Sequence, residues 1–157
     1  MRPEIAFAGS ARLLVVLHAA AAIVLIGAAT HHALIAWGYL RGRFKIRLGR
    51  IYAATVAGAY AVTFGLGLLA YPAFRYHVRA LVLDRSEVWA SNLFDTKESF
   101  AALGVPLVAL GLGLSRRLQP DDEPALFWAY AACAWLAAAI VWFDLFSGLA
   151  IALTRGV

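Results

Sequence analysis

A small set of ionisable side chains stands inside or at the margins of apolar runs, where a charge is costly and tends to face a partner, a cavity or a cofactor. The set comprises His18, Arg75, His77, Arg79, Lys97 and Asp144. His18 lies within the run from Leu13 to Leu40, which contains no Asp, Glu, Lys or Arg. A lone imidazole in such a run either hydrogen-bonds a neighbouring helix or ligates a metal or a haem iron. Asp144 either pairs with Lys97 or Arg75 to lock helices together, or orients and gates protons. Arg75 and Arg79 suit lipid headgroups or the propionates of a haem, and Lys97 with Glu98 suits an interface or the same anions.

The histidine spacing narrows the chemistry. His18 and His32 are fourteen residues apart, which brings them to within about 40° of one helix face and about 21 Å apart along it. Two stacked haems would need matching histidines on another span, and none of the other spans supplies one; the sole Met is Met1. A pair of bis-histidine haems is therefore excluded. A single b-type haem on His18 remains, with His77, Lys97, water or nothing opposite. His31 and His32, beside a basic loop, read as interfacial. The single Cys133 allows neither an intrachain disulfide nor a cysteine metal cage. No zinc spacing, phosphate loop or serine nucleophile motif is present, and Gly65 and Gly67 read as helix-packing residues.

The elements that must hold these groups follow from composition. Of 157 residues, 63% are hydrophobic and 15% charged, which points to a membrane protein. The net charge of +5 flanks apolar runs instead of forming a basic face with exposed aromatics, so nucleic-acid binding is set aside. A helix crosses a bilayer with about 20 apolar residues, and four runs qualify, at about 13–38, 51–72, 96–115 and 125–153. Pro72 should kink or end the second. The following FRYHVRALVLDR is too polar for a span and predicts a kinked extension or a short amphipathic interfacial helix, with SEVWASNLF as a connector. Asp95 and Glu98 read as a capping box that starts the third span, and Pro106 should bend it. The loop LQPDDEP leads into the fourth. The expected fold is an all-α, polytopic four-helix bundle forming one membrane domain over 1–157.

Lys and Arg divide seven to seven between the two sides, but five of them fall within residues 41–50. That density places loops 41–50 and 116–124 on the cytoplasmic side, with both termini and residues 75–95 outside. The alternation of spans then puts His18, Lys97, Glu98, Asp144 and the Arg75–Arg79 stretch at one level, whichever way the bundle faces. His18 lies about 7.5 Å below the edge of that level.

Leu17-His18, Gly27, the FGLGLL of residues 64–69 and Lys97 together resemble a group of small bacterial membrane proteins that includes the membrane-type protoporphyrinogen oxidase and the copper-resistance D-type membrane domain. Leu25 stands where the group usually has Trp, and Asp95 where it often has His. The resemblance implies haem binding and activity for His18 and Lys97. The expectation from residues and resemblance together is an oxidoreductase or electron-transfer subunit that acts with a porphyrin or quinone. It would sit in lipid with other membrane subunits or further copies of itself. In it His18 ligates iron, Arg75, His77 and Arg79 line the cofactor, and Lys97 and Asp144 do the chemistry. An accessory subunit of a larger membrane complex, or a transporter-like protein handling copper or protons, stands as the alternative.

Overall fold

A computed structural model describes residues 5–154; Arg2 and Arg155, which enter the charge count above, lie outside the described residues. The fold is all-α: α1 spans Ala11–Leu40, α2 Ile46–Phe74, α3 Val88–Arg117 and α4 Pro124–Thr154. Each helix packs on two neighbours in the cyclic order α1, α2, α3, α4, giving an up-down-up-down bundle. All four are long and apolar enough to cross a membrane. Their outward faces carry the large apolar side chains, with Ile23 72% and Leu34 63% exposed, while His32, Thr63, Ser115 and Ser147 are buried. Apolar outside and polar inside is the arrangement a lipid solvent demands, because every polar group must find its partner within the bundle.

Small residues set the helix spacing. Ala28, Ala29 and Ala36 on α1 and Ala131, Ala134, Ala137 and Ala138 on α4 are all buried, letting backbones approach closely where no hydrophobic effect drives association. The closest approaches occur at Gly49 and Gly104. A Cβ at Gly49 would collide with the Tyr39 hydroxyl, and one at Gly104 with the Tyr60 hydroxyl. Gly65, expected to pack a neighbour, has nothing within 4 Å of where a Cβ would stand, and neither has Gly58. Gly67 does face a partner, and that partner is the His18 ring.

The two ends of the bundle differ in construction. At the basic end, Gly42 adopts φ 71° after α1, and its N–H donates to the Tyr39 carbonyl, the left-handed stop that glycine supplies best. Arg50 reaches across to α3, donating to the carbonyls of Ser115 and Leu118 at 3.1 and 3.4 Å. Pro124 opens α4 as the first helical residue, where its missing N–H costs nothing. At the opposite end α2 does not stop. It runs on as a π-helical segment, Arg75–Leu83, and a last turn, Asp84–Ser86, so of the two expected forms the extension of the second helix is the one realised.

The start of α3 corrects the sequence expectation. The helix begins at Val88, about two turns before the capping box, and Glu87 precedes it outside helical geometry, with φ −136° and ψ 57°. The Trp89 indole Nε1–H donates to Glu87 Oε2 at 2.9 Å. Asp95 lies within the helix and its side chain holds Arg79 instead of a backbone N–H. SEVWASNLF is helical because Ala90, Leu93 and Phe94 share a face and pack with Leu83, Ile151, Tyr71 and Phe74 in one apolar cluster. Phe94 stacks on Phe74 with ring centroids 4.4 Å apart. Ser91, expected on an exposed connector, is buried and donates to Asp84.

Candidate functional site: a polar layer around His18

The polar layer is assembled from all four helices. His18 on α1 turns toward α2, where its Nδ1–H donates to the Thr63 backbone carbonyl at 2.9 Å. A carbonyl only accepts, so the proton sits on Nδ1 and the lone pair on Nε2. Nε2 makes no hydrogen bond and is not enclosed. Gly67, one turn beyond Thr63, leaves the space the ring occupies: a Cβ there would stand 3.4 Å from the imidazole Cε1.

Tyr60, Thr63 and Gly67 fall on one face of α2. Tyr60 is buried and its hydroxyl donates to the Ala101 carbonyl on α3 at 2.7 Å. Ala101 lies beside the turn in which Pro106 supplies no N–H, so a side chain from another helix serves a carbonyl next to that gap. Gly104 gives the phenol its room.

Asp144 completes the layer from α4. Among the described residues no ion pair joins it to Lys97 or Arg75, so the helix-locking pair considered from the sequence is not formed. Lys97 and Glu98 are longer-range charged neighbours of Asp144, and Lys97 is one of His18 as well. Lys97 passes close to Gly148 of α4 and lies 5.8 Å above the Phe94 ring. Two polar atoms here are buried without a partner: Asp144 Oδ1 and Thr63 Oγ1. Buried polar groups are hydrogen-bonded in the great majority of cases, and leaving one unpaired costs about 1–3 kcal/mol. Both orphans belong to the layer that holds His18.

The other expected site residues lie apart. Arg79 is bound by Asp95 through two charge-assisted hydrogen bonds of 2.6 and 2.8 Å, with Asp84 at 3.6 Å. Arg75 lies over the Tyr71 ring at 6.0 Å, and His77 is exposed with its ring edge-on to Tyr76. His18, Lys97, Glu98 and Asp144 are thus brought together, whereas Arg79 belongs to an ion pair on the extension.

His32 departs from the interfacial expectation. It is 4% exposed and its Nε2 is joined to the Tyr130 hydroxyl at 2.7 Å. Tyr130 in turn stacks on Tyr39 and reaches the Gly49 carbonyl at 3.4 Å. His31 faces outward, with Nδ1–H donating to the Gly27 carbonyl at 2.8 Å and its ring stacked on Tyr52. Tyr60 and Thr63 were not singled out from the sequence. Their spacing with Gly67 was the available signal, since two hydroxyls and a glycine recur on one side of an otherwise apolar helix.

No family model matches the sequence, and neither does a curated protein or a solved structure.

Proposed function

We propose that this chain is an integral-membrane redox protein that holds one b-type haem on His18, as an electron-transfer subunit or an oxidase of a porphyrin or quinone. The supporting observation is the fixed tautomer of His18. A ligating histidine commonly donates its other N–H to a backbone carbonyl, which orients the ring and leaves a basic nitrogen for the metal. His18 makes that bond to Thr63 and keeps Nε2 free. The donor set fits one axial position. Lys97 is the cation left in the layer for a propionate, because Arg79 is held by Asp95 and Arg75 lies apart over Tyr71. A bound haem would supply one-electron chemistry between ferrous and ferric iron. Asp144 would hold the accompanying proton, and Lys97 would balance its carboxylate when the proton leaves.

Protein produced in haem-sufficient cells should show a Soret band that His18→Ala abolishes with helical content unchanged. His31→Ala should leave the band intact. Colourless protein that cannot be reconstituted would overturn the haem assignment. Proton handling by the same layer would then lead, supported by the two orphaned atoms Asp144 Oδ1 and Thr63 Oγ1. An accessory-subunit role draws support from Gly58, Gly65 and Gly113, whose open surroundings fit close contact with another helix.

The proposed setting is a bacterial inner membrane with the 41–50 loop cytoplasmic. In a Cys133→Ser background, external thiol reagent should label Ser86→Cys and spare Arg43→Cys. The opposite pattern would invert the orientation and leave the polar layer as described.

A further inference from the structure

The basic end of the bundle has more positive charge than its fold uses. Residues 41–50 carry five cations and Arg116 and Arg117 two more, against three acids at 121–123. Arg50 is committed to the Ser115 and Leu118 carbonyls, and Arg41 lies 4.6 Å over the Trp37 ring. Among the described residues the ion pairs are those of Arg79 at the far end, so no acid neutralises Arg43, Lys45 or Arg47.

Beside these cations an open groove of about 490 Å³ runs along the first turns of α2. Lys45 and Arg47 supply its charge, and Phe44, Ile46, Leu48 and Ile51 its apolar wall. The wall continues onto the outward face of the bundle, with Leu48 38% and Ile51 52% exposed. Charge therefore sits at the mouth and apolar surface leads from it toward the lipid-facing band.

We infer that this groove binds an anionic phospholipid, with the phosphate between Lys45 and Arg47 and an acyl chain along Leu48 and Ile51. Free phosphate would use the two cations and gain nothing from four apolar neighbours. A zwitterionic lipid would use the apolar wall but brings a cation that Lys45 and Arg47 repel. An anionic phospholipid satisfies both parts. This inference is independent of any cofactor at His18.

The test uses the full chain in neutral detergent, titrated by native mass spectrometry with phosphatidylglycerol, phosphatidylcholine and inorganic phosphate. Phosphatidylglycerol should give a one-to-one adduct at least about tenfold tighter than phosphatidylcholine, with no competition from equimolar inorganic phosphate. Each juxtamembrane cation contributes about 1 kcal/mol to anionic-lipid attraction, so Lys45→Ala with Arg47→Ala should weaken the adduct about thirtyfold. Arg116→Ala with Arg117→Ala should leave it within about threefold. Equal loss in both double variants would mean a diffuse surface field and would overturn the site. Equal binding of the two lipids, or displacement by phosphate, would overturn it as well. If the first double variant fails to fold, the ratio between the two lipids on the unaltered chain decides alone.

Discussion

The bundle contains two histidine-centred layers on the same helix, and they are finished to different degrees. Around His32 one ring nitrogen and both phenols are paired: imidazole Nε2 to Tyr130, Tyr130 to the Gly49 carbonyl, Tyr39 to the Lys45 carbonyl. Aromatic rings close the space between them, with Tyr39 stacked on Tyr130 and edge-on to Phe127. Around His18 one hydrogen bond fixes the ring and the remainder is left open: Nε2 without a partner, Asp144 Oδ1 and Thr63 Oγ1 buried and unpaired. A satisfied polar network in a low-dielectric interior rigidifies a fold, and an unsatisfied one costs stability. The difference teaches that histidine burial alone does not locate function. The layer nearer to complete burial is the more completely hydrogen-bonded one.

The contrast can be broken by stability measurements in detergent. The largest effect should come from Gly49→Val, which forces side-chain atoms into the Tyr39 hydroxyl and should cost about 3 kcal/mol. A cost below about 1 kcal/mol would show that the aromatic layer is loose and the comparison misplaced. His32→Ala should come next, at about 2 kcal/mol, because it opens a small void and strips Tyr130 of its closest partner.

In the His18 layer the same kind of change should be mild. His18→Ala removes a half-buried ring with one hydrogen bond and should cost about 1 kcal/mol or less in the cofactor-free protein. A loss matching that of His32→Ala would erase the distinction. Asp144→Leu should leave stability unchanged or raise it by about 1 kcal/mol, since replacing an unsatisfied buried acceptor by an apolar isostere removes a penalty. It should abolish whatever proton-coupled activity the layer carries. The smallest loss of stability belongs outside both layers: Arg79→Ala breaks a partly exposed ion pair and should cost about 0.2–1 kcal/mol, less in high salt.

Hydropathy and charge were enough to read four spans, their alternation and the gathering of His18, Lys97, Glu98 and Asp144, because these depend on element length and order. What stayed hidden depends on rotation about each helix axis. His31 and His32 are adjacent in sequence, and only the packing of α4 puts Tyr130 beside one and leaves the other facing outward. Gly104 was not distinguishable from Gly65, since each stands in an apolar helix and only the neighbouring helix tells which face is pressed; Gly49 fell in the loop expected over residues 41–50. Asp95 and Glu98 satisfied a local helix-start pattern, yet the long-range partner Arg79 and the apolar contacts of Ala90 and Phe94 moved the start back to Val88. Local capping is worth about 1 kcal/mol, and burial of Phe94 in a cluster exceeds that.

The π-helical segment after α2 sets the phase between the bundle and everything beyond Phe74. Within it the Asp84 N–H reaches the Arg79 carbonyl, five residues back, where an α-helix would reach four. Val78 and Leu83, also five apart, therefore both contribute to the cluster with Phe94. Deleting one residue between Tyr76 and Val82 would let the segment tighten to an α-helix, while inserting one elsewhere would demand a new bulge. The segment works as an adjustable spacer: its surplus residue turns Arg79 toward Asp95 and brings the chain to Glu87 facing the way α3 must return.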